Sequence, residues 1–302
     1  MKGKTIRRNK KAVFFAVLLV VIIIVAFFIV ARAPSSKLQN CVWLFPSSEG
    51  LELMNNASLW NSMAVRLENA NVNCIIVWAG LWNPDHTIDY DNSPTVWKQF
   101  INTVKAIDSD FKVLALVGTG AVDISGSANR TAMISAAKTL LSSAPFDGWN
   151  DDLETFTGST QDLIAYWQGI GSMVKGMGKI ATVDLGVDWS YSIEDVYPHL
   201  TNFDYIMPMF YETISFSYAT EAWNTILSNS SVPVIMGLAV ISEANGNTSL
   251  SQQLIWIDGQ SHKNLAGFSI WAYDYWSDID FAAWNGWSTK NTIGNSSLVN
   301  MP

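Results

Sequence analysis

From residue 41 onward the sequence alternates between short apolar runs and longer segments whose apolar residues recur at helical spacing. The runs cover 41–45, 73–78, 112–118, 148–154, 180–188, 205–212, 234–240 and 266–273. Several segments between them open on a serine placed to cap a helix, at Ser93, Ser159, Ser192 and Ser249. Strands alternating with helices imply parallel pairing, and eight such units in about 260 residues match an α/β fold of the (β/α)8 barrel type. A doubly wound open sheet is the other arrangement this pattern permits, but no glycine-rich phosphate loop follows the first run. In a barrel, function collects at the C-terminal ends of the strands. An inward polar residue there is costly as packing and calls for a reason.

One segment stands apart. Ala12 to Ala31 is an uncharged stretch of 20 residues between Lys11 and Arg32. As a helix it spans roughly 30 Å, the hydrocarbon thickness of a bilayer. The predicted organisation is therefore a basic cytoplasmic N-terminus over 1–11, a transmembrane signal anchor over 12–31, a linker over 32–40 and the barrel over 41–302. Basic residues before the span keep the N-terminus inside and export the bulk, which places the barrel outside the cell. A cleavable signal peptide, cut near Ala31-Arg32-Ala33, is the alternative. Sequons at Asn56, Asn129, Asn229, Asn247 and Asn295 agree with export, although Ser/Thr/Asn-rich loops also produce them by chance.

Charge sharpens this division. The whole chain of 302 residues carries a net charge of −8, but residues 1–37 hold eight of the 18 basic residues and no acid. The rest carries 10 basic against 26 acidic residues, which argues against nucleic acid as a partner. With 49% apolar and 15% charged residues the chain is not disordered. Two cysteines, Cys41 and Cys74, exclude a disulfide scaffold and a four-cysteine zinc site, and leave open whether they are bonded or are buried thiols. His86, His199 and His262 are scattered without metal-ligand spacing, so neither a metal nor another cofactor is expected. A monomer is expected.

The chemistry concentrates in the fourth run, Asp147-Gly148-Trp149-Asn150-Asp151-Asp152-Leu153-Glu154. Side chains alternate along a strand, which puts Asn150, Asp152 and Glu154 on one face. Neighbouring carboxylates repel, so one of them keeps its proton near neutral pH. A protonated Glu beside an ionised Asp is the pair a glycosidic bond requires: one protonates the leaving oxygen, the other stabilises developing positive charge. An acidic loop capping the next helix, or a calcium site, is the plainer explanation of such a run.

This segment resembles the signature of glycoside hydrolase family 18, the chitinases and related endo-N-acetylglucosaminidases, whose pattern is DGxDxDxE. The chain reads DGWNDDLE, with Asn150 where the family has its first inner Asp. The sixth run ends Met207-Pro208-Met209-Phe210-Tyr211-Glu212, similar to the family's Met-x-Tyr-Asp, and the eighth ends in Trp271. The third, Leu116-Val117-Gly118-Thr119-Gly120, is loosely similar to Ser-x-Gly-Gly. The resemblance implies a retaining, substrate-assisted hydrolase of chitin-like glycans containing β-linked N-acetylglucosamine. In it Glu154 is the acid and then the base. Asp152 orients the substrate's 2-acetamido group, and Tyr211 hydrogen-bonds it. Trp271 floors the sugar subsite, with Asn150, Met209 and Glu212 beside it. Trp43, Trp78 and Trp189, with Trp82, Trp149 and Trp276, lie at strand ends and are candidates for stacking on sugar. Trp97, Trp167, Trp223 and Trp256 lie on helices and are expected to pack against the barrel. Asp184 and Asp188 alternate on the fifth run and are candidates to face inward.

Two other functions compete. Asn150 suggests a non-catalytic carbohydrate-binding barrel of the same ancestry. Alternatively, Glu154 as acid/base with Glu243, after the seventh run, as nucleophile would make a two-carboxylate glycosidase.

Overall fold

The structure, a computed structural model, describes residues 40–44, 53–118, 120–187, 192–214, 217–240 and 248–290. The predicted membrane anchor lies outside them, as do Asp188, Trp189 and Glu243. Among the described residues no helix is long and apolar enough to cross a membrane.

Eight parallel strands form the barrel: β1 (Asn40–Leu44), β2 (Cys74–Trp82), β3 (Lys112–Gly118), β4 (Gly148–Asp151), β5 (Ile180–Leu185), β6 (Tyr205–Pro208), β7 (Val234–Ala239) and β8 (Leu265–Trp271). Each pairs with its sequence neighbours, and β1 closes the ring by pairing with both β2 and β8. Helices alternate with them: α1 (Ala57–Asn69), α2 (Pro94–Ile107), α3 (Ser127–Ser143), α4 (Thr160–Gly176), α5 (Ile193–Val196), α6 (Ala219–Asn229), α7 (Leu250–Ile257) and α8 (Asp278–Ser288). The open-sheet alternative is thereby excluded. Ser93, Ser159, Ser192 and Ser249 all cap helices as expected, and Ser159 and Ser249 form reciprocal capping boxes with Asp162 and Gln252.

The apolar runs read as near-continuous because both strand faces are buried. One face fills the barrel with Cys41, Trp43, Cys74, Ile76, Leu114, Leu116, Ile180, Met207 and Ile235. The other, including Val42, Ile75, Val113, Ala115 and Val183, packs under the helices. Trp97, Trp167 and Trp223 are buried in that outer layer and Trp256 packs on it. Cys41 and Cys74 sit in register on β1 and β2 as free, buried thiols.

Two details anchor the fourth strand. A Cβ at Gly148 would lie 2.2 Å from the Ile180 carbonyl oxygen, so this glycine lets β4 and β5 approach. The preceding Asp147 accepts from the Val113 backbone N–H at 2.9 Å and from Lys105 Nζ at 2.6 Å, tying β4 to β3 and α2. Beyond the barrel, Val122–Asp123 and Phe156–Thr157 pair as a two-stranded parallel ribbon that joins the loops after β3 and β4.

Candidate active site

Asn150, Asp152, Glu154, Asp184, Tyr211 and Trp271 lie at or just past the C-terminal ends of β4, β5, β6 and β8. Pairing of β4 stops at Asp151, so the expected strand over 148–154 is too long: residues 152–155 are a bridge leading into Phe156–Thr157. The alternation nevertheless persists through that bridge. Asn150 is buried inside the barrel, Leu153 is buried in the outer core, and Glu154 reaches solvent.

Asp151 belongs to the outer face. It accepts hydrogen bonds from Trp149 Nε1 at 3.0 Å, Tyr166 Oη at 2.8 Å and Trp167 Nε1 at 3.0 Å, the last two on α4. Burial pushes its carboxyl up, and the three donors pull it back. Its role is to pin β4 to α4.

Asp152 and Glu154 share a hydrogen bond. Burial raises the Asp152 carboxyl well above the usual carboxylate range, and the charges of Asp184, Glu154 and Asp151 add to the shift. Partial burial raises Glu154 too, while the hydrogen bond from Asp152 opposes the rise. Asp152 is thus the protonated donor of the pair and Glu154 the acceptor, so one proton is held between them.

Asp184 on β5 joins this group from the side. Asn150 Nδ2 donates to Asp184 Oδ2, and Thr182 Oγ1 donates to Asn150 Oδ1 at 2.5 Å. Burial raises Asp184 well above its ordinary range, with the Asn150 amide and the Trp43 indole N–H pulling the other way. The sequence marked Asp184 as a possible inward acid but gave no sign of its partner, which is set by the β4–β5 register.

The raised values set a pH dependence of stability. Asp152 and Asp184 titrate higher folded than unfolded. Their contribution is complete below about pH 4, the unfolded carboxylate value, and is lost as pH rises through the folded values. Asp184→Asn, which keeps the acceptor for Asn150, should therefore raise the thermal midpoint near neutral pH, by the equivalent of about 1 kcal/mol. It should flatten the loss of stability that sets in as pH rises above about 4. Thermal melts across that range check this, and an unchanged slope would show that Asp184 does not titrate differently in the folded state.

On the opposite wall Tyr211 stacks on Trp271, with ring centroids 5.4 Å apart and planes at 25°. Met209 and Ala239 pack beside them. The Trp271–Ala272 peptide is cis. Trp78 is half-buried with its indole over Gly118, where a Cβ would fall 1.9 Å from its Cη2; the glycine in the third run exists to admit that ring. Glu212 follows Tyr211 in a short turn of 3-10 helix.

Three of the six strand-end tryptophans need correction. Trp82, Trp149 and Trp276 are buried in the outer hydrophobic layer with the helices, and Trp82 packs on Trp149 at 6.3 Å. A strand end names a position along the barrel axis, not the face on which the ring lies. Trp43 does face inward, as part of the packed barrel interior.

No protein-family model and no curated protein matches the sequence. Solved structures do match its fold. The catalytic domain of a family GH18 chitinase from the fern Peteris ryukyuensis has a TM-score of 0.56 at 16% identity, over 83% of this chain and 98% of its own. A chitinase from Chromobacterium violaceum gives 0.58 at 11% identity, over 81% and 97%. The chain has the chitinase-like family-18 barrel fold. The same chitinase-like barrel also occurs in a xylanase and α-amylase inhibitor protein from Scadoxus multiflorus, with a TM-score of 0.61 at 15% identity over 83% and 98%. The chitinase-like fold therefore leaves the activity to be argued from the site itself.

Proposed function

We propose that this chain is a membrane-anchored, extracellular glycoside hydrolase, acting as a monomer. It cleaves β-linked N-acetylglucosamine glycans with retention, using the substrate's own acetamido group. The observation that carries this reading is the hydrogen-bonded carboxyl pair Asp152–Glu154 just past the end of β4, in a barrel whose sixth and eighth strands lead to the Tyr211–Trp271 stack.

The proposed steps are these. The sugar ring lies on Trp271, and the Tyr211 hydroxyl donates to the acetamido carbonyl oxygen. As the acetamido N–H comes to Asp152, the shared proton passes from Asp152 to Glu154, which delivers it to the glycosidic oxygen while that bond breaks. The carbonyl oxygen bonds to the anomeric carbon from the opposite face, forming an oxazolinium ring. Asp152 accepts the acetamido N–H and stabilises the positive charge there. Water then adds to the anomeric carbon as Glu154 takes its proton. The ring opens, and the sugar leaves with its original configuration. Residues 12–31 hold this domain at the outer membrane face.

The test is to incubate the full chain with N-acetylglucosamine oligomers and follow products by mass spectrometry and proton NMR. Shorter oligomers released first as the β-anomer support the reading; release of the α-anomer overturns the retaining mechanism.

A non-catalytic sugar-binding barrel is the second reading, favoured by the neutral Asn150 and by the inhibitor proteins that share the fold. Oligomer binding by calorimetry, with no product after prolonged incubation, would establish it.

A further inference from the structure

We propose that Asp184, on β5, is the positioning carboxylate of this site. It supplies from the neighbouring strand the negative charge that Asn150 does not supply from β4, and so fixes where the Asp152–Glu154 proton resides. The inference rests on the glycosidase reading of the same site.

The geometry comes first. Asn150, Thr182 and Asp184 are all buried inside the barrel. Thr182 and Asp184 both lie on β5, and Thr182 occupies the Asn150 carbonyl oxygen, which leaves the amide nitrogen to donate to Asp184. Asn150 is thus the neutral half of a locked pair whose charged half stands one strand away. An Asp at 150 would place two carboxylates against each other there, and the amide avoids that repulsion.

Packing alone does not account for Asp184. Among the described residues no ion pair with Lys or Arg includes it. A buried carboxylate without a cation keeps its charge only as far as donated hydrogen bonds offset its burial, and the Asn150 amide and the Trp43 indole N–H both donate to Asp184. The groups that face it are Cys41 and Trp43 on β1, Asn150 on β4, and Asp152 and Glu154 on the bridge; Asp151 acts on it only through space from the outer face of β4, and its register partner on β6 is the apolar Met207. Its charge therefore acts on the acids of the site. By repelling a second charge on Asp152, it keeps Asp152 protonated and donating to Glu154. Asp184 itself touches no substrate atom and transfers no proton.

The experiment is a titration of the full chain labelled with 13C at Asp and Glu carboxyls, followed by NMR, together with the pH profile of oligomer hydrolysis. Asp184→Asn should move the Asp152–Glu154 titration toward acid by about one pH unit or more. The alkaline limb of the rate profile should move with it, lowering the rate near neutral pH about tenfold. The exchanged variant, Asn150→Asp with Asp184→Asn, should return both to near the original profile. An unmoved titration in folded Asp184→Asn, or an exchanged variant no closer to wild type than the single one, overturns the proposal. Should Asp184→Asn alone not fold, the exchanged variant decides: a titration like the original supports the positioning role, and one displaced by a unit or more rejects it. If the original chain shows the coupled titration but cleaves no oligomer, the hydrolase reading fails while the positioning of the proton by Asp184 stands.

Discussion

Glu154→Gln is expected to leave a folded barrel that binds glycan and turns it over about 10²–10⁴-fold more slowly, the usual share of a positioned acid or base. The amide has the shape of the carboxyl and still accepts from Asp152, but it has no proton to give. Glu154 reaches solvent rather than packing in the core, so the thermal midpoint should stay within about 0.5 kcal/mol of the original. Steady-state rates on N-acetylglucosamine oligomers, paired with calorimetric binding and thermal melts, check all three parts. A variant that cleaves as fast as the original would remove Glu154 from the chemistry. One that neither cleaves nor binds would mean that the glutamate holds the sugar rather than acting on its bond.

The largest loss of stability should come from a residue that never meets substrate. Asp151→Ala strips the acceptor from three buried donors, Trp149 Nε1, Tyr166 Oη and Trp167 Nε1. Each orphaned donor costs about 1 kcal/mol or more, so roughly 3–5 kcal/mol is expected. For a domain of this size the thermal midpoint falls by about 10 °C. Asp151→Asn should cost less, because its carbonyl oxygen still accepts from two of the donors. Melting curves of the two variants test this ordering; equal losses would mean that the charge, and not the count of acceptors, holds β4 to α4.

Much of this architecture is legible in the sequence because barrel strands are buried on both faces. That makes them short continuous apolar runs, and the serine caps between them mark the helix starts. The same property hides orientation. Trp43 and Trp149 look alike in the sequence, yet one points into the barrel and the other toward the helices. The acids fared differently. Asn150 inside the barrel and Asp151 outside it follow from period-two alternation. The three donors on Asp151 do not, since Tyr166 and Trp167 reach it from a helix 15 and 16 residues on. The pairing of Asn150 with Asp184 spans two strands and depends on register, which no local pattern encodes.

The bridge that carries Glu154 has a consequence for the rhythm of turnover. Only four residues separate the end of β4 from the ribbon strand Phe156–Thr157, and buried Leu153 pins their middle. A backbone held at both ends and at its centre has few conformations to visit, so Glu154 is placed by a tethered segment rather than by a loop that must first close. The catalytic group would then be in place before substrate arrives, and the slow step would belong to the glycan's own entry and departure.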